Sequence, residues 1–429
     1  MNNIGLVIKV ERLRQNMKQI TLAKGICTPS YLSKIENILT VPSDEVAMLL
    51  VKRLNIDYKY LSRDMDAEFF TDFLLLYKQA INYRNKKDII NKLVFYIENE
   101  FNFQNESYLY NFKIMQLRVH LIIEKHSNIV NSLLNTLESQ KIRFNIHQLF
   151  HFNLNCGIYY HLKGDFICSL TYLESNLNLI NKFPIEDWEL ADFYNVLSLS
   201  YLSNNQDLHT IDCAKKSLKI YKDSLLFERA IDSYIIIAIV QKRKCQYREA
   251  EETLKLAQQL AMDFKLKDMI GRINQNLGTL FSLQGNSKKA IEKYMASLKN
   301  NRNKKSNLIS ILSVIQEYSK NGDADQIILW CHKGLYEIEN TSLDKFESYF
   351  HHFNVFLSIQ RIDEVGVKKL KTAIKYFENK KDYRHVHKYS LLLANIYFET
   401  SNFKNAGIYF KKSNDMLFHQ KSIKTWEDL

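Results

Sequence analysis

The feature that most constrains this chain is its shortage of helix-breaking residues. Only 3 Pro and 11 Gly occur among 429 residues, and from Asp66 onward apolar residues recur at helical spacing almost without interruption. A β-sandwich or barrel needs turn residues at regular intervals, so this composition favours helices with short connections. The chain is also longer than one hydrophobic core normally serves, so we expect several domains or a repeat array.

A short pattern of small and bulky residues returns between about residues 150 and 415. Ala214, Ala250 and Ala290 occupy equivalent places in it, at intervals of 36 and 40 residues, close to the ~34 residues of a tetratricopeptide repeat. The clearest copies are Gly157, Tyr160, Ser169 and Leu173; Gly278, Phe281, Ala290 and Tyr294; and Ala394, Tyr397, Ala406 and Phe410.

This pattern describes packing. Small residues let two antiparallel helices approach, and the bulky residue fills the gap to the next pair, so neighbouring pairs must stack into a superhelix with a concave inner face. We predict six or seven pairs in this part of the chain. Two or three less regular pairs are expected between residues 67 and 145, including helices over Phe69 to Tyr83 and Tyr108 to Lys125.

Charge and cysteine usage indicate which partners and which cellular compartment suit the protein. The formal net charge of +12 suits an acidic partner such as nucleic acid, although the codon bias of an A+T-rich genome explains the same excess of lysine. The six cysteines include no Cys-x-x-Cys pair, which favours reduced thiols. No secretory signal is visible, and the longest apolar stretch, Ile235 to Val240, is too short to cross a bilayer. We therefore predict a cytoplasmic protein without membrane contact.

The first fifty residues predict four short helices with clear boundaries. In the second helix Ile20, Leu22 and Ala23 are expected to face inward, and Gly25 ends it. Thr28 is a good N-cap for a third helix, with Pro29 at its first position. The last helix is capped by Ser43 and carries an apolar stripe of Val46, Leu49, Leu50 and Leu54.

The run from Leu22 through Ser30-Tyr31-Leu32-Ser33-Lys34-Ile35-Glu36-Asn37 to Pro42-Ser43 resembles the helix-turn-helix of lambda-repressor-like (XRE-type) regulators. The resemblance covers residues 4 to 62 and implies binding to double-stranded DNA. Two residues depart from the family pattern: Lys18 replaces the usual Thr before Gln19, and Ile38 replaces the usual Gly after Asn37. The resemblance implies a set of DNA-contacting residues: Gln19, Thr28, Pro29, Ser30, Tyr31 and Lys34.

A helix-turn-helix followed by tetratricopeptide-like helices resembles the peptide-pheromone receptors of Gram-positive bacteria, of the Rgg, PlcR, PrgX and NprR type. The predicted fold is therefore all-α, with a lambda-repressor-like helix-turn-helix in residues 1–65, a linker with irregular helical pairs in 66–148, and a right-handed tetratricopeptide-like superhelix in 149–420. The resemblance implies a homodimeric quorum-sensing transcriptional regulator, switched by a short signalling peptide in the concave groove.

Polar residues at inner positions of the repeats are candidates for peptide binding. An Asn side chain donates and accepts at once, so a ladder of them can hold an extended backbone, and a cation can pair with a carboxylate. For any one of these residues a solvated helix face is the simpler explanation, whereas the set as a whole favours a groove. The candidates are Asn155, Asn195, Arg272, Gln275, Asn276, His352, Lys388 and Asn395.

No catalytic motif, cofactor or metal site is predicted. The pairs His351-His352 and His385/His387 are spaced too poorly to chelate an ion. Two other functions stay open: a repeat protein that binds or dephosphorylates a response regulator through Gln79 or Gln104, and a scaffold whose helix-turn-helix is inert. The basic run from Lys299 to Lys305 is expected to be a solvated turn, with auxiliary DNA contact as the alternative.

Overall fold

A computed structural model describes the protein over a series of ranges. These are residues 4–55, 65–83, 87–98, 101, 103, 105–123, 127–300, 303–339 and 346–421. Within them all regular structure is helical, and no helix among them is long and apolar enough to span a membrane. Two compact units, Met1–Val240 and Gln241–Leu429, divide the chain.

The first unit opens with the four predicted short helices: α1 (Ile4–Arg14), α2 (Gln19–Ala23), α3 (Pro29–Glu36) and α4 (Asp44–Arg53). The predicted caps are confirmed. Thr28 Oγ1 accepts the Tyr31 backbone N–H at 3.2 Å, and Gly25 takes a φ of +75° after α2. The local sequence therefore sets where α3 begins and how it is presented.

Leu22, Leu32 and Ile35 are buried in the core of these four helices, as predicted. Two apolar predictions were wrong, because Ile20 is 65% and Leu49 is 49% exposed. Each lies two residues, about 200° around the helix, from a residue that fills the core, so it projects outward.

The turn after α3 contains Ile38 at the position where the resemblance predicts glycine. Ile38 itself adopts the left-handed conformation, with φ +58°, and its side chain is 44% exposed. A β-branched residue in this region carries a strain of about 1–2 kcal/mol.

Ile38→Gly is therefore expected to stabilise the four-helix domain by about 1 kcal/mol, since glycine relieves the strain and little buried area is lost. Hydrogen exchange of the α1–α4 amides in the full chain should slow about fivefold. The neighbouring Leu39→Gly is the control, because Leu39 is 75% exposed and has no positive φ to relieve. Equal slowing in both variants, or faster exchange in Ile38→Gly, would contradict the assignment of strain.

Helices then follow in antiparallel pairs through the rest of the first unit. They are α5 (Met65–Asn82), α6 (Lys87–Glu98), α7 (Glu106–Ile122), α8 (Ser127–Gln140), α9 (Ile146–Leu162), α10 (Phe166–Leu177), α11 (Asp187–Ser203), α12 (Asp207–Asp223) and α13 (Phe227–Arg243), within which the unit ends. The predicted helices near 69–83 and 108–125 correspond to α5 and α7, and Lys125 lies outside the described residues.

The second unit continues the same succession. Its helices are α14 (Tyr247–Asp263), α15 (Lys267–Leu283), α16 (Ser287–Asn300), α17 (Lys304–Lys320), α18 (Ala324–Glu339), α19 (Glu347–Gln360), α20 (Glu364–Asn379), α21 (Tyr383–Glu399) and α22 (Phe403–Lys421). The predicted all-α class, with a helix-turn-helix followed by tetratricopeptide-like pairs, is confirmed. The three predicted domain bounds stay a prediction.

Close helix approach explains the repeated small residues. A Cβ atom on Gly278 would lie 2.5 Å from the Tyr294 ring, and one on Gly157 would lie 2.5 Å from the Leu173 side chain. Both pairs belong to the sequence pattern, which places the bulky partner sixteen residues after the glycine. The packing predicted from the pattern is present at both positions.

The helix-turn-helix shares a hydrophobic core with the first helical pair. Val7 and Val10 of α1 lie in one cluster with Phe69 and Phe73 of α5. The cluster continues to Trp188 at the start of α11. On the α1 surface, the Arg14 guanidinium makes ion pairs with Glu68 at 3.1 Å and with Asp72 at 3.3 Å. The four-helix domain α1–α4 is thus packed against the array rather than attached by chain connectivity alone.

Candidate DNA-binding and peptide-binding sites

Helix α3 presents a polar face to solvent. Its residues Ser30 and Lys34 are exposed, whereas Leu32 and Ile35 on the opposite face are 0% and 1% exposed. Thr28 and Pro29 are exposed as well, and Tyr31 is half-buried. Hydroxyl and ammonium groups on a solvent-facing helix are suited to reading base edges in a major groove.

Gln19 is held inside the domain by a polar network that the sequence analysis did not identify. Its Nε2 donates to Glu36 Oε2 at 2.6 Å. Arg12 binds the same carboxylate with two hydrogen bonds, from Nε at 2.6 Å and Nη2 at 2.8 Å, and both residues are at most 2% exposed. This network joins α1, α2 and α3, so Gln19 is half-buried where it was predicted to contact the DNA backbone.

Three of the candidate peptide-binding residues are buried between helices. Asn155 is 2% exposed and donates from Nδ2 to the Ile114 carbonyl at 2.8 Å. Asn195 is 1% exposed. His352 is 7% exposed and hydrogen-bonds through Nδ1 to the Tyr389 hydroxyl. Burial lowers the pKa of His352 to about 3, so its ring is neutral near pH 7. In this conformation none of the three presents its side chain to a groove.

Of the three candidates on α15, Gln275 and Asn276 contact neighbouring helices. Gln275 donates to Ser313 Oγ at 2.9 Å and accepts from Ser310 Oγ at 2.7 Å. Asn276 Oδ1 accepts from Lys242 Nζ at 3.0 Å. Arg272, also half-buried, donates from Nη1 to Met269 Sδ at 3.5 Å. Gln275 and Asn276 therefore support the stacking of pairs, and all three residues retain partial exposure.

Lys388 and Asn395 are brought together in a groove of about 500 Å³ within the second unit. The groove is formed by α17, α19 and α21, the first helices of three successive pairs. Its apolar wall comes from α19 and α21: Val355, Phe356, Ile359, Leu391 and Leu392. We name this site the α21 groove. It combines apolar surface with a few polar groups, which is the usual composition of a ligand site.

The α21 groove is cationic. Arg384 and Lys388 lie one helical turn apart on α21, and among the described residues no carboxylate pairs with either of them. Burial and the charge of Arg384 lower the pKa of Lys388. A third cation, Lys320, is neutralised by Glu317 at 2.6 Å. Two neighbouring cations without acidic partners favour an anionic group in the groove.

Arg384 and Tyr389 also line the α21 groove and were not predicted from the sequence. A signal for Arg384 was available, because residues 384, 388, 391 and 395 follow the i, i+4, i+7, i+11 spacing of one helix face. Their convergence with residues of α17 and α19 depends on tertiary packing.

A second missed cluster lies in the first unit and is buried. Asp192 accepts hydrogen bonds from Arg118 Nη2 at 2.8 Å and from Arg229 Nη2 at 2.6 Å. All three residues are at most 7% exposed, and they lie beside a cavity of about 420 Å³. The carboxylate connects α7, α11 and α13 through charge-assisted hydrogen bonds.

Known proteins share the helix-turn-helix and the helical array of this chain. Residues 8–61 match the family model described as Helix-turn-helix. The transcriptional activator NprA of Geobacillus stearothermophilus is 28% identical over 415 residues, which are 94% of this chain and 100% of NprA. The predicted resemblance to NprR-type regulators is confirmed.

Two further proteins extend the comparison. The apo form of the quorum sensor NprR from B. thuringiensis superposes with a TM-score of 0.64 at 15% identity, covering 82% of this chain and 99% of that one. NprR in complex with its cognate peptide NprX gives 0.53 at 16% identity, with 81% and 99% covered. Response regulator aspartate phosphatase H of Bacillus subtilis (strain 168) is 22% identical over 233 residues, 54% of this chain and 61% of its own. At 15–16% identity, the similarity to the two NprR structures shows a shared fold.

Proposed function

We propose that this protein is a non-enzymatic transcriptional regulator that binds promoter DNA as a homodimer and is switched by a short signalling peptide. The observation that carries the proposal is the presence, in one chain, of a solvent-facing polar helix α3 and of the cationic α21 groove. The full-length similarity to NprA supports the regulatory role, and the peptide complex of the similarly folded NprR supports the ligand class.

Dimerisation follows from the size of the DNA contact. One recognition helix reads few base pairs, and two half-sites about one helical turn apart multiply the specificity. Ser30 and Lys34 are the proposed base-reading residues, with Thr28 and Tyr31 nearer the phosphates. Lys34 can donate to guanine, and a good base contact contributes about 1–3 kcal/mol of discrimination.

The DNA-binding proposal is tested by gel shift with DNA from the region around the gene. The double variant Ser30→Ala/Lys34→Ala is expected to lose at least about 30-fold in affinity, given the contributions of base contacts. The matched control is Lys52→Ala, an exposed lysine on α4. If the double variant binds as tightly as the wild type, the helix-turn-helix is inert and the protein acts as a scaffold.

For the peptide we propose an extended segment with an acidic side chain or its terminal carboxylate at Arg384 and Lys388, and its backbone at Asn395. Of the other predicted ligands, Arg272, Gln275 and Asn276 retain partial exposure, whereas Asn155, Asn195 and His352 would need helix rearrangement to make contact.

Lys388→Glu is expected to weaken peptide binding by about 30-fold or more, because it places a negative charge opposite the anion. DNA affinity without peptide should not change. The measurement is calorimetric titration with short synthetic peptides from a small open reading frame beside the gene. Lys369→Glu, with the same charge change on α20, is the control because Lys369 is exposed and does not line the groove. Equal losses in the two variants would place the peptide elsewhere.

Action on a response regulator is the second candidate, and the similarity to aspartate phosphatase H favours it. Gln79 on α5 is half-buried, and Gln104 lies outside the described residues. The test measures phosphate release from a phosphorylated response regulator. Acceleration by the wild type and not by Gln79→Ala would establish this activity. No acceleration by the wild type would leave regulation of transcription as the function.

A further inference from the structure

Three potential metal ligands converge where α9 meets α11. His147 and His151 are one turn apart on α9, and Glu189 lies in the first turn of α11. Glu189 Oε1 is 2.9 Å from His147 Nε2 and 2.8 Å from His151 Nε2, and the two nitrogens are 3.2 Å apart. The i, i+4 spacing of these histidines places both rings on one helix face, unlike the other histidine pairs of the sequence.

The surroundings fix the ligands in this arrangement. Glu189 Oε2 accepts the Glu186 backbone N–H at 2.9 Å in a capping box, which leaves Oε1 directed at the two rings. The His147 ring packs edge-on against Phe183, and the His151 ring packs edge-on against Phe150. Such outer contacts orient metal ligands in established sites.

We propose that His147, His151 and Glu189 form a binding site for a divalent transition metal ion, with Zn²⁺ as the best match. At metal–ligand bonds of about 2.1 Å, neighbouring ligand atoms are separated by about 3.0–3.4 Å, and the observed triangle of 2.8–3.2 Å needs little adjustment to accept an ion. Two imidazoles with one carboxylate suit zinc, iron, cobalt or nickel, whereas Ca²⁺ and Mg²⁺ prefer oxygen ligands.

The difference in exposure among the three ligands indicates that the ion would enter from the side of His147. The side chains of His151 and Glu189 are 7% and 5% exposed, whereas that of His147 is 36% exposed. The remaining coordination positions therefore face solvent past His147 and take water. The ion joins the first helices of two successive pairs, a role in stability that is separate from peptide or DNA recognition.

The test uses the full chain, stripped of metal with EDTA and titrated with Zn²⁺ by calorimetry and with Co²⁺ by visible absorption. The wild type should bind one ion at this site, and His147→Ala should lower the affinity at least about 100-fold. His332→Ala is the matched control, because His332 is exposed and far along the chain on α18. All six cysteines remain in both variants, so binding by thiols is the same in each.

A second variant separates metal binding from hydrogen bonding. Glu189→Gln keeps an oxygen that accepts from both histidines and loses only the capping hydrogen bond from the Glu186 N–H, but it is a poor metal ligand, so it should fold and lose most of the affinity. Saturating Zn²⁺ should raise the unfolding midpoint of the wild type by about 5 °C and leave that of His147→Ala unchanged. The proposal is overturned if wild type and His147→Ala bind Zn²⁺ equally, or if Glu189→Gln retains the full affinity.

Discussion

Replacing Glu36 with alanine is expected to abolish the proposed DNA binding, although the side chain is fully buried and does not face the DNA. Glu36 is the only carboxylate within hydrogen-bond reach of Arg12 among the described residues. Its loss leaves a guanidinium that is 2% exposed without a counter-charge. Breaking a buried ion pair from one side costs about 3–5 kcal/mol. A cost of this size is comparable to the whole stability of a small domain.

The variant should therefore unfold the helix-turn-helix and leave the later repeats folded. Hydrogen exchange measured by mass spectrometry on the full chain can separate the two, since α1–α4 should exchange freely and α14–α22 should remain protected. Glu45→Ala is the control, because Glu45 is exposed on α4. Wild-type protection and wild-type DNA affinity in Glu36→Ala would show that the network carries no stability.

The second large effect is expected at Asp192. Asp192→Ala removes the carboxylate that receives Arg118 and Arg229, and it leaves the buried Arg118 without its carboxylate partner. Arg229 keeps the Tyr221 hydroxyl at 2.9 Å and the Asp232 carboxylate at 3.9 Å. A buried guanidinium that loses its counter-charge should cost about 3–5 kcal/mol. Because α7, α11 and α13 meet at this carboxylate, the loss should reduce the stability of the whole first unit.

Urea unfolding of the full chain, followed by hydrogen exchange, checks this expectation. Asp192→Asn keeps one acceptor oxygen for one of the two arginines and loses the charge and the second acceptor, so its stability should fall between those of the alanine variant and the wild type. Asp212→Ala is the matched control: its ion pair with Lys216 is exposed, so the change should stay within about 0.5 kcal/mol. A small effect for Asp192→Ala would mean that water or movement of the arginines compensates for the lost charge.

Local sequence signals predicted the helix boundaries well. Thr28, Pro29 and Gly25 act on their own backbone and need no distant partner, so the start of α3 and the end of α2 could be placed from sequence. The small residues of the repeats were equally informative, since the spacing from Gly278 to Tyr294 already encodes a contact.

The site residues were harder to predict because they depend on which side of a helix is covered. In stacked pairs, first helices contact neighbours on more than one face, and Asn155 and Asn195 fall on covered faces. Arg384 and Lys388 fall on an open one. Asp192 and its two arginine partners are distant in sequence and converge only in the fold.

The shared core of α1 and α5 has a consequence for the spacing of half-sites that the proposed dimer accepts. Since Val7 and Val10 of α1 pack against Phe69 and Phe73 of α5, a rotation of α5 would carry α1, and with it the proposed DNA-contacting helix α3. In the proposed dimer the array would then fix the distance between the two α3 helices before DNA binds. Operators whose half-sites are moved apart by half a helical turn would be rejected even when every contacted base is kept.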